Sequence, residues 1–389
     1  MLNDRKAMAQ RKSLGRISAE PWIIAWFAPA NIALIPRKTK QPKSIRPACS
    51  FPIIVKLYGI YILAANSSSS NTALALVAPD MASVDQVIAQ RLSSDVPLVG
   101  EVSRYIISAG GKRLRPALLL LICGALGYTG TQRFNLAAIV EFIHTATLLH
   151  DDVVDDSQLR RGLATANESF GNPASVLVGD FLYSRAFQMM VDAGDMRIMQ
   201  ILSDATNIIA EGEVMQLMNM HDASLDEAGY LRVIRSKTAK LFEASARLGA
   251  VLAQSSQELE QACAQYGQAL GTAFQVIDDV LDYDGDPTVM GKSLGDDLRE
   301  GKATLPLIIA MQRGNTAQRE MIQEAIETGN LAGLEAILSV VRETGALEAS
   351  RETAAAEAQR AIDALNNIAP SQYKNALLQL ASQLLIRRS

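Results

Sequence analysis

Apolar residues recur at helical spacing along most of the chain from about Met81 onward. The segment "RFNLAAIVEFIHTATLLHDD" has this period and contains no Gly or Pro. The same period marks "VLVGDFLYSRAFQMMVDA", "MQILSDATNIIAEGEVMQLMNM", "SKTAKLFEASARLGAVLA" and "ELEQACAQYGQALGTAFQVIDDVLDY". Several of these segments are apolar nearly all round, as expected of central helices. Strict alternation over a strand length is rare, so the pattern predicts an all-α protein built as one large helical bundle.

The first eighty residues lack this period. They hold both tryptophans and seven of the 13 prolines. Two apolar stretches, "PWIIAWFAPANIALI" and "FPIIVKLYGIYILAA", are about 15 residues long, shorter than the roughly 20 that span a bilayer. The tract "NSSSSN" that follows them is typical of a linker.

Three interpretations of this segment stay open at the sequence level. It could be an organelle-targeting peptide, because it is basic and poor in acidic residues. It could instead be a membrane-surface anchor, or sequence that lies upstream of the true start of the protein. We favour the third, because orderly patterning begins only near Met81. We therefore expect a poorly structured N-terminal extension over 1–80 and the folded domain over 81–389.

Charge and composition narrow the function. Residues 1–80 carry 11 Lys/Arg against three Asp/Glu, a net charge of +8, whereas the remaining 26 Lys/Arg and 38 Asp/Glu give −12. An acidic body argues against nucleic acid as a partner. Three widely spaced cysteines form neither a disulfide framework nor a zinc pattern, which favours a reducing compartment and a cytoplasmic location.

The pattern D-D-x-x-D occurs twice, first as Asp151, Asp152, Asp155 and then as Asp278, Asp279, Asp282. On a helix, Asp151 and Asp155 share one face, and their repulsion is relieved by a hard divalent cation such as Mg²⁺. One such motif alone is better explained as a solvated helix end. The second copy, also after a long apolar run, instead predicts two walls facing one polyphosphate.

Cationic residues that suit such a ligand are also present. A single one would be interpreted as an ordinary surface charge, but together with two acidic motifs they predict a diphosphate site, because Arg and Lys are the usual phosphate ligands. They are Lys112, Arg113, Arg115, Arg160, Arg161, Lys237, Lys292 and Lys302.

In order and spacing, these motifs resemble the trans-type polyprenyl diphosphate synthases over about four-fifths of the chain. The likeness is carried by "GGKRLRP", "LLHDDVVDDSQLRRG", "GDFLYSRAFQMM", "EGEVMQLM", "SKTAKLFE", "GTAFQVIDDVLDY" and "GKSLGDDLREGKATLPL". It implies the all-α isoprenoid synthase fold with a central cavity. It further implies a Mg²⁺-dependent prenyltransferase, with Mn²⁺ as a substitute, that extends farnesyl diphosphate with isopentenyl diphosphate. The implied product is octaprenyl diphosphate for a quinone side chain.

The resemblance also implies a role for each matching residue. Catalysis would involve Asp151, Asp152, Asp155, Asp278 and Lys237, and the metal ligands would come from Asp151, Asp155, Asp278, Asp279 and Asp282. The allylic diphosphate would be held by Arg160, Lys237, Thr238, Gln275, Lys292 and Lys302. Isopentenyl diphosphate would be held by Lys112, Arg115, His144 and Arg161. On residues alone, His144 would be interpreted as an ordinary core histidine.

Small residues precede the first acidic motif and bear on product length. Ala146 and Thr147 lie about 7.5 and 6 Å below Asp151 along the helix axis, where the family's short-chain members carry bulky aromatics. A growing chain would pass them, although close helix packing explains small residues equally well. Phe187, Met189 and Met190 are candidates for the tunnel floor, with plain core packing as the alternative.

Partners and rival functions complete the expectations. The resemblance implies a homodimer whose product is destined for membranes, so membrane association of the enzyme stays open. A class I terpene cyclase needs no isopentenyl site, and "GGKRLRP" and Arg161 argue against it. A non-catalytic subunit of a heteromeric synthase would typically lack one acidic motif, and both are whole here. A purely structural acidic helical protein would not need the matched cations.

Overall fold

A computed structural model of the protein describes residues 53–57, 60–64, 72–108, 110–160, 162–285 and 294–386, with side chains from Ala73 onward. All of them belong to one unit of the chain, Pro52–Ser389. Among the described residues, strands form only two short antiparallel hairpins. One pairs β1 (Ile53–Leu57) with β2 (Ile60–Ala64), and the other pairs β3 (Leu159–Arg160) with β4 (Leu163–Ala164).

Helices make up the rest of the described secondary structure, which confirms the all-α prediction. The N-terminal set is α1 Thr72–Ala75, α2 Ala78–Arg91, α3 Pro97–Ser108, α4 Leu114–Ala125, α5 Gln132–Val154, α6 Ala166–Phe170, α7 Asn172–Asp192 and α8 Met196–Met218. The C-terminal set is α9 Glu227–Ile234, α10 Lys240–Leu252, α11 Gln257–Asp284, α12 Asp296–Arg299, α13 Leu305–Arg313, α14 Thr316–Thr328, α15 Leu334–Glu343, α16 Ala346–Ala364 and α17 Gln372–Leu384. A π-helical turn, Arg235–Ala239, joins α9 to α10.

Local sequence sets where these helices begin. Asp195 caps α8 by accepting the backbone N–H of Arg197, and Ser256 caps α11 by accepting that of Leu259. Gly171 separates α6 from α7. Its φ of 84° is a conformation in which a residue with a side chain would be strained, so glycine is favoured there.

The core has two parts, and α11 runs through both. Residues 118–122 of α4 are buried on every side, so α4 is a central helix of the first part. Ala273 of α11 belongs to the first part and Val276 to the second, which α9 and the helices after α11 complete. As a result, one helix fixes the relative position of the two halves of the described domain.

Packing in the described chain starts before Met81. Ala73 and Val77 are buried in the first part of the core, and α2 crosses the boundary expected between residues 80 and 81. The division into an extension and a folded domain therefore stays a prediction. No helix among the described residues combines the length and the apolar character needed to cross a membrane.

Candidate active site

A cavity of about 820 Å³ lies between the ends of α5 and α11. Its walls come from the segment before α4, from α5, α8 and α11, from the π-helical turn, and from the chain between α12 and α13. Asp151 and Asp155 line one wall, and Asp278 and Asp279 also line the cavity. The two acidic motifs thus meet at one site, although they are 127 residues apart in sequence.

Asp151 and Asp155 lie at the C-terminal end of α5, where the backbone N–H of Asp155 donates to the carbonyl of Asp151 at 2.8 Å. A helix C-terminus carries partial negative charge, so carboxylates are unfavourable there unless a cation compensates them. Burial raises the pKa of Asp151, with Asp155 adding to the rise and Lys237 opposing it. This end of α5 therefore favours binding of positive charge.

Asp152 faces away from the cavity. It is fully buried, and its carboxylate takes three hydrogen bonds from Arg160, two from Nε at 3.0 and 3.1 Å and one from Nη2 at 2.6 Å. Such a two-pronged contact fixes the guanidinium plane. Asp152 therefore orients Arg160, and it is Arg160 that lines the cavity. These contacts do not favour Asp152 as a direct metal ligand.

The second motif divides in a similar way. Asp278 and Asp279 both line the cavity, but both carboxylate oxygens of Asp279 already accept hydrogen bonds, from Tyr230 Oη at 2.6 Å and Gln275 Nε2 at 2.8 Å. Asp282 is fully buried behind the wall and accepts the backbone N–H of Asp297. These contacts favour Asp279 and Asp282 as supports of the wall rather than as metal ligands.

Asp279 also orients two predicted substrate ligands. The Nε2 group of Gln275 donates to Asp279, which leaves its Oε1 to accept the Thr238 hydroxyl at 2.9 Å. Burial raises the pKa of Asp279 well above its usual range, with Asp297 adding to the rise. The chain Asp279–Gln275–Thr238 therefore holds two side chains of the cavity wall in fixed orientations.

Two lysines reach the first acidic motif from other elements. Lys237 Nζ, on the π-helical turn, lies 3.7 Å from Asp151 Oδ2 and 2.6 Å from Glu213 Oε2. Lys302 Nζ lies 3.1 Å from Asp155 Oδ2 and 2.6 Å from Glu300 Oε2. Burial lowers the pKa of Lys302, but Asp155 and Glu300 outweigh burial and raise it overall, so the ammonium stays charged.

The predicted isopentenyl ligands gather at the start of α4. Lys112, Arg115 and His144 line the cavity, and Arg115 Nη1 lies 3.1 Å from His144 Nε2. Because a guanidinium can only donate, Nε2 of His144 is the acceptor. The Arg115 guanidinium stacks 4.5 Å from the Phe242 ring centroid, and burial lowers its pKa to about 10, which leaves it charged at neutral pH.

Only some of the residues predicted to line the product tunnel lie at the cavity. Thr147 lines the cavity, whereas Ala146 is fully buried in the first part of the core. Met189 and Met190 are also core residues, and Phe187 is partly exposed. None of these last four lines the described cavity, so their roles in product length stay predictions. Arg161 and Lys292 lie outside the described residues.

Three residues at this site were not predicted from sequence. Glu213 and Glu300 contact the two lysines, and Tyr230 anchors Asp279. Burial raises the pKa of Glu213 to about 7, with Lys237 opposing the rise. Glu213 lies within "EGEVMQLM" and Glu300 within "GKSLGDDLREGKATLPL", so both motifs were noted while these glutamates were not.

The donor set fits a divalent cation. Asp155 Oδ1 is buried without a hydrogen-bond partner, and burial raises the pKa of Asp151, so added positive charge beside these two carboxylates is favourable. Within the described residues, no three acidic, His or Cys side chains form a complete metal cluster. An ion held here would take its remaining ligands from diphosphate and water, as small divalent cations do.

Comparison with known sequences identifies the family. The sequence profile of the polyprenyl synthetase family matches residues 96–342. The octaprenyl diphosphate synthase of Escherichia coli (strain K12) is 52% identical over 307 residues, which cover 79% of this chain and 95% of that protein. The all-trans-nonaprenyl-diphosphate synthase (geranyl-diphosphate specific) of Rhodobacter capsulatus is 46% identical over 308 residues, covering 79% of this chain and 94% of that protein.

Solved structures agree with this. The polyprenyl synthase from Caulobacter crescentus CB15, in complex with calcium and isoprenyl diphosphate, superposes with a TM-score of 0.79 at 44% identity, covering 82% of this chain and 97% of that one. A decaprenyl diphosphate synthase from Rhodobacter capsulatus gives 0.78 at 44% identity, covering 82% and 99%. The isoprenoid synthase fold predicted from sequence is thereby confirmed, and the chain belongs to the polyprenyl synthetase family of prenyltransferases.

Proposed function

We propose that this chain extends an allylic diphosphate by repeated head-to-tail condensation with isopentenyl diphosphate. One observation carries the proposal: the carboxylates of both acidic motifs line the same cavity as the cationic side chains. The carboxylates are those of Asp151, Asp155 and Asp278, and the cationic side chains are Lys112, Arg115, Arg160, Lys237 and Lys302. A cavity that combines carboxylates for metal with cations for phosphate suits two diphosphate substrates.

Magnesium, or manganese in its place, would be held by Asp151 and Asp155 on one wall and by Asp278 on the other. When bound, it supplies positive charge to the diphosphate that leaves the allylic carbon. Asp152 and Asp279 support this arrangement indirectly, because they orient Arg160 and Gln275.

The protein side chains bind and ionise the allylic substrate. Arg160, Lys237 and Lys302 hold its diphosphate and stabilise the negative charge that develops as the C–O bond breaks. Apolar residues of the cavity, Leu148 and Phe274, exclude water that would otherwise quench the carbocation.

Isopentenyl diphosphate binds at the start of α4. Lys112, Arg115 and His144 hold its diphosphate, so that its double bond faces the allylic carbon. The double bond attacks the carbocation, and the adduct then loses a proton to the released diphosphate. The reaction needs no covalent enzyme nucleophile.

For the product, we propose octaprenyl diphosphate made from farnesyl diphosphate. The support is the 52% identity to an octaprenyl diphosphate synthase, against 46% to a nonaprenyl-diphosphate synthase. Such a product is apolar and destined for a membrane, where it supplies a quinone side chain. In our proposal, the extension over residues 1–80 takes no part in this chemistry, although its last residues, among them Ala73 and Val77, pack into the core of the catalytic domain.

We also propose that the enzyme is a homodimer. Large apolar side chains are exposed along two helices, namely Leu177, Phe187 and Val191 on α7 and Val214, Leu217 and Met218 on α8. Exposed apolar side chains that group on a helix face often mark a protein–protein interface. A second copy of the chain is the partner we expect on these faces.

The test combines the full chain with magnesium, farnesyl diphosphate and labelled isopentenyl diphosphate, followed by product sizing. We expect Asp151→Asn and Asp278→Asn to lower turnover at least about 100-fold, the size typical of lost transition-state electrostatics. Thermal unfolding should change little, since both side chains line the cavity. Asp156→Asn is the matched control, because Asp156 is exposed next to the motif and asparagine tolerates its positive φ of 49°.

Normal turnover in either cavity variant would refute the metal assignment. Turnover that is unchanged when magnesium is omitted and a chelator is added would refute it as well. Release of a cyclic hydrocarbon without consumption of isopentenyl diphosphate would refute the proposed elongation reaction.

A further inference from the structure

Two lysines at the cavity each lie between an aspartate of the first acidic motif and a glutamate outside it. Lys237 Nζ is 2.6 Å from Glu213 and 3.7 Å from Asp151. Lys302 Nζ is 2.6 Å from Glu300 and 3.1 Å from Asp155. In both cases the contact with the glutamate is the shorter one, so the same arrangement occurs twice.

The two arrangements are built from different elements. Glu213 is on α8 and faces the π-helical turn, whereas Glu300 directly follows α12 and lies two residues before Lys302. All four side chains line the cavity and are at most partly exposed. Burial raises the pKa of Glu300, as it does that of Glu213, so each carboxylate depends on its lysine to carry charge.

A divalent cation and these lysines compete for the same carboxylates. The ammonium of Lys302 lies 3.1 Å from Asp155 Oδ2, and although Asp155 Oδ1 has no hydrogen-bond partner, a metal ion there and the lysine would repel each other strongly in a partly buried site. The lysines must therefore leave the aspartates when the ion binds. They must also stay in the cavity, because the diphosphate needs them.

We infer that Glu213 and Glu300 are positioning residues that retain Lys237 and Lys302 in the cavity when the metal ion takes over Asp151 and Asp155. The inference rests on the proposed function. Each glutamate lets its lysine exchange an aspartate for a phosphate oxygen without leaving the wall. Without the glutamate, the lysine closes onto the aspartate and opposes the metal.

The primary test measures Mn²⁺ binding to the full chain by electron paramagnetic resonance, with inorganic diphosphate present and no turnover. Glu213→Gln and Glu300→Gln should each raise the Mn²⁺ dissociation constant about tenfold, a coupling of ordinary size for contacting charged groups. The matched control is Glu211→Gln. Glu211 is on the same helix, is exposed and contacts Asn207, so Mn²⁺ binding should not change.

A charge-conserving variant separates positioning from simple electrostatics. Glu213→Asp keeps the negative charge but withdraws the carboxylate from Lys237. If Glu213 acts by position, this variant weakens Mn²⁺ binding as Glu213→Gln does. It then also raises KM for the allylic diphosphate several-fold and leaves KM for isopentenyl diphosphate unchanged. If Glu213→Asp matches the wild type in both Mn²⁺ binding and KM, charge alone is sufficient and the inference is overturned.

The remaining outcomes separate this inference from the proposed function. Wild-type binding of Mn²⁺ together with unchanged affinity in both glutamine variants would overturn the inference alone. Failure of the wild type to bind Mn²⁺ in the presence of diphosphate would overturn both. Glu300→Gln provides an independent variant, since its arrangement shares no side chain with that of Glu213.

Discussion

Neighbouring residues in the first acidic motif do different work because a helix turns about 100° per residue. The i and i+4 spacing predicts that Asp151 and Asp155 share a face, and both line the cavity. Asp152 follows Asp151 directly and therefore points elsewhere, into a buried contact with Arg160. The spacing identified the cavity-facing members, but only the folded chain reveals that Asp152 orients an arginine.

Glu213 and Glu300 could not be found from sequence for a related reason. A single glutamate on a helix has the same pattern as any solvated surface position. Its role depends on a lysine contributed by the π-helical turn for Glu213, and on burial of the short loop after α12 for Glu300. Neither of these leaves a periodic signal.

Because of the same rotation of about 100° per residue, Ala146 and Thr147 lie on different faces of α5, and only Thr147 lines the cavity. A substitution at Thr147 therefore tests product length more directly than one at Ala146. We expect Thr147→Phe to shorten the product sharply, because the ring enters the cavity while the diphosphate sites stay intact. Consumption of isopentenyl diphosphate should remain detectable. Product length is read by reversed-phase chromatography.

Ala146→Tyr serves as the comparison. Ala146 is fully buried in the core, so a tyrosine there should destabilise the fold by about 1–3 kcal/mol through overpacking. Thermal denaturation measures that loss. A full-length product from a folded Thr147→Phe enzyme would show that the growing chain does not pass this residue.

At the scale of elements, periodicity predicted the long helices well and their interruptions poorly. The apolar pattern of "RFNLAAIVEFIHTATLLHDD" corresponds to α5, and that of "ELEQACAQYGQALGTAFQVIDDVLDY" to α11. The segment "SKTAKLFEASARLGAVLA" has the same period throughout, yet its first residues form the π-helical turn. One extra residue in a turn barely changes the hydrophobic pattern, so the sequence did not reveal it.

The π-helical turn depends on a glycine of α8 for its position. A Cβ atom on Gly212 would lie 2.7 Å from the backbone nitrogen of Lys237 and 2.9 Å from the Cβ of Ser236. Hence α8 and the turn approach each other closely only because residue 212 has no side chain. This approach brings Glu213 and Lys237 within contact distance.

We therefore expect Gly212→Ala to push the turn away from α8. The overlap should destabilise the protein by about 1–3 kcal/mol, which exceeds the gain of up to ~1 kcal/mol from better helix propensity. It should also raise KM for the allylic diphosphate, because Lys237 and Thr238 shift together. Urea denaturation and steady-state kinetics measure the two effects.

Gly333→Ala is the control for this substitution. Its Cβ would meet nothing within 4 Å, and its φ of −100° suits any residue, so stability and KM should not change. If Gly212→Ala behaved like Gly333→Ala, the close approach of α8 would not be what positions the turn.

Across the described domain, the two-part core explains how motifs that are distant in sequence reach one cavity. The first acidic motif ends a helix of the first part, and the second lies on α11, which runs into the second part. Packing of α10 and α16 along α11 fixes the angle between these elements. Sequence patterns predicted each helix separately, whereas this relative placement results from long-range packing that no local pattern encodes.

The exposed apolar faces of α7 and α8 bear on assembly. Leu217 and Met218 are 57% and 76% exposed on α8, and they belong to neither part of the buried core. If a second copy covers them, charge placed there should separate the subunits, since burying two glutamates without partners is strongly unfavourable. We expect the wild type to have twice the 41.9 kDa chain mass by light scattering, and Leu217→Glu/Met218→Glu to have the mass of one chain.

Ile386→Glu provides the control for this double variant, because Ile386 is also exposed but lies after α17, away from both faces in sequence. It should remain a dimer with unchanged thermal stability. A wild-type protein of single-chain mass would refute the homodimer. A double variant that keeps twice the chain mass would show instead that the subunits meet through another surface, and that the exposed apolar side chains of α8 are not part of the dimer interface.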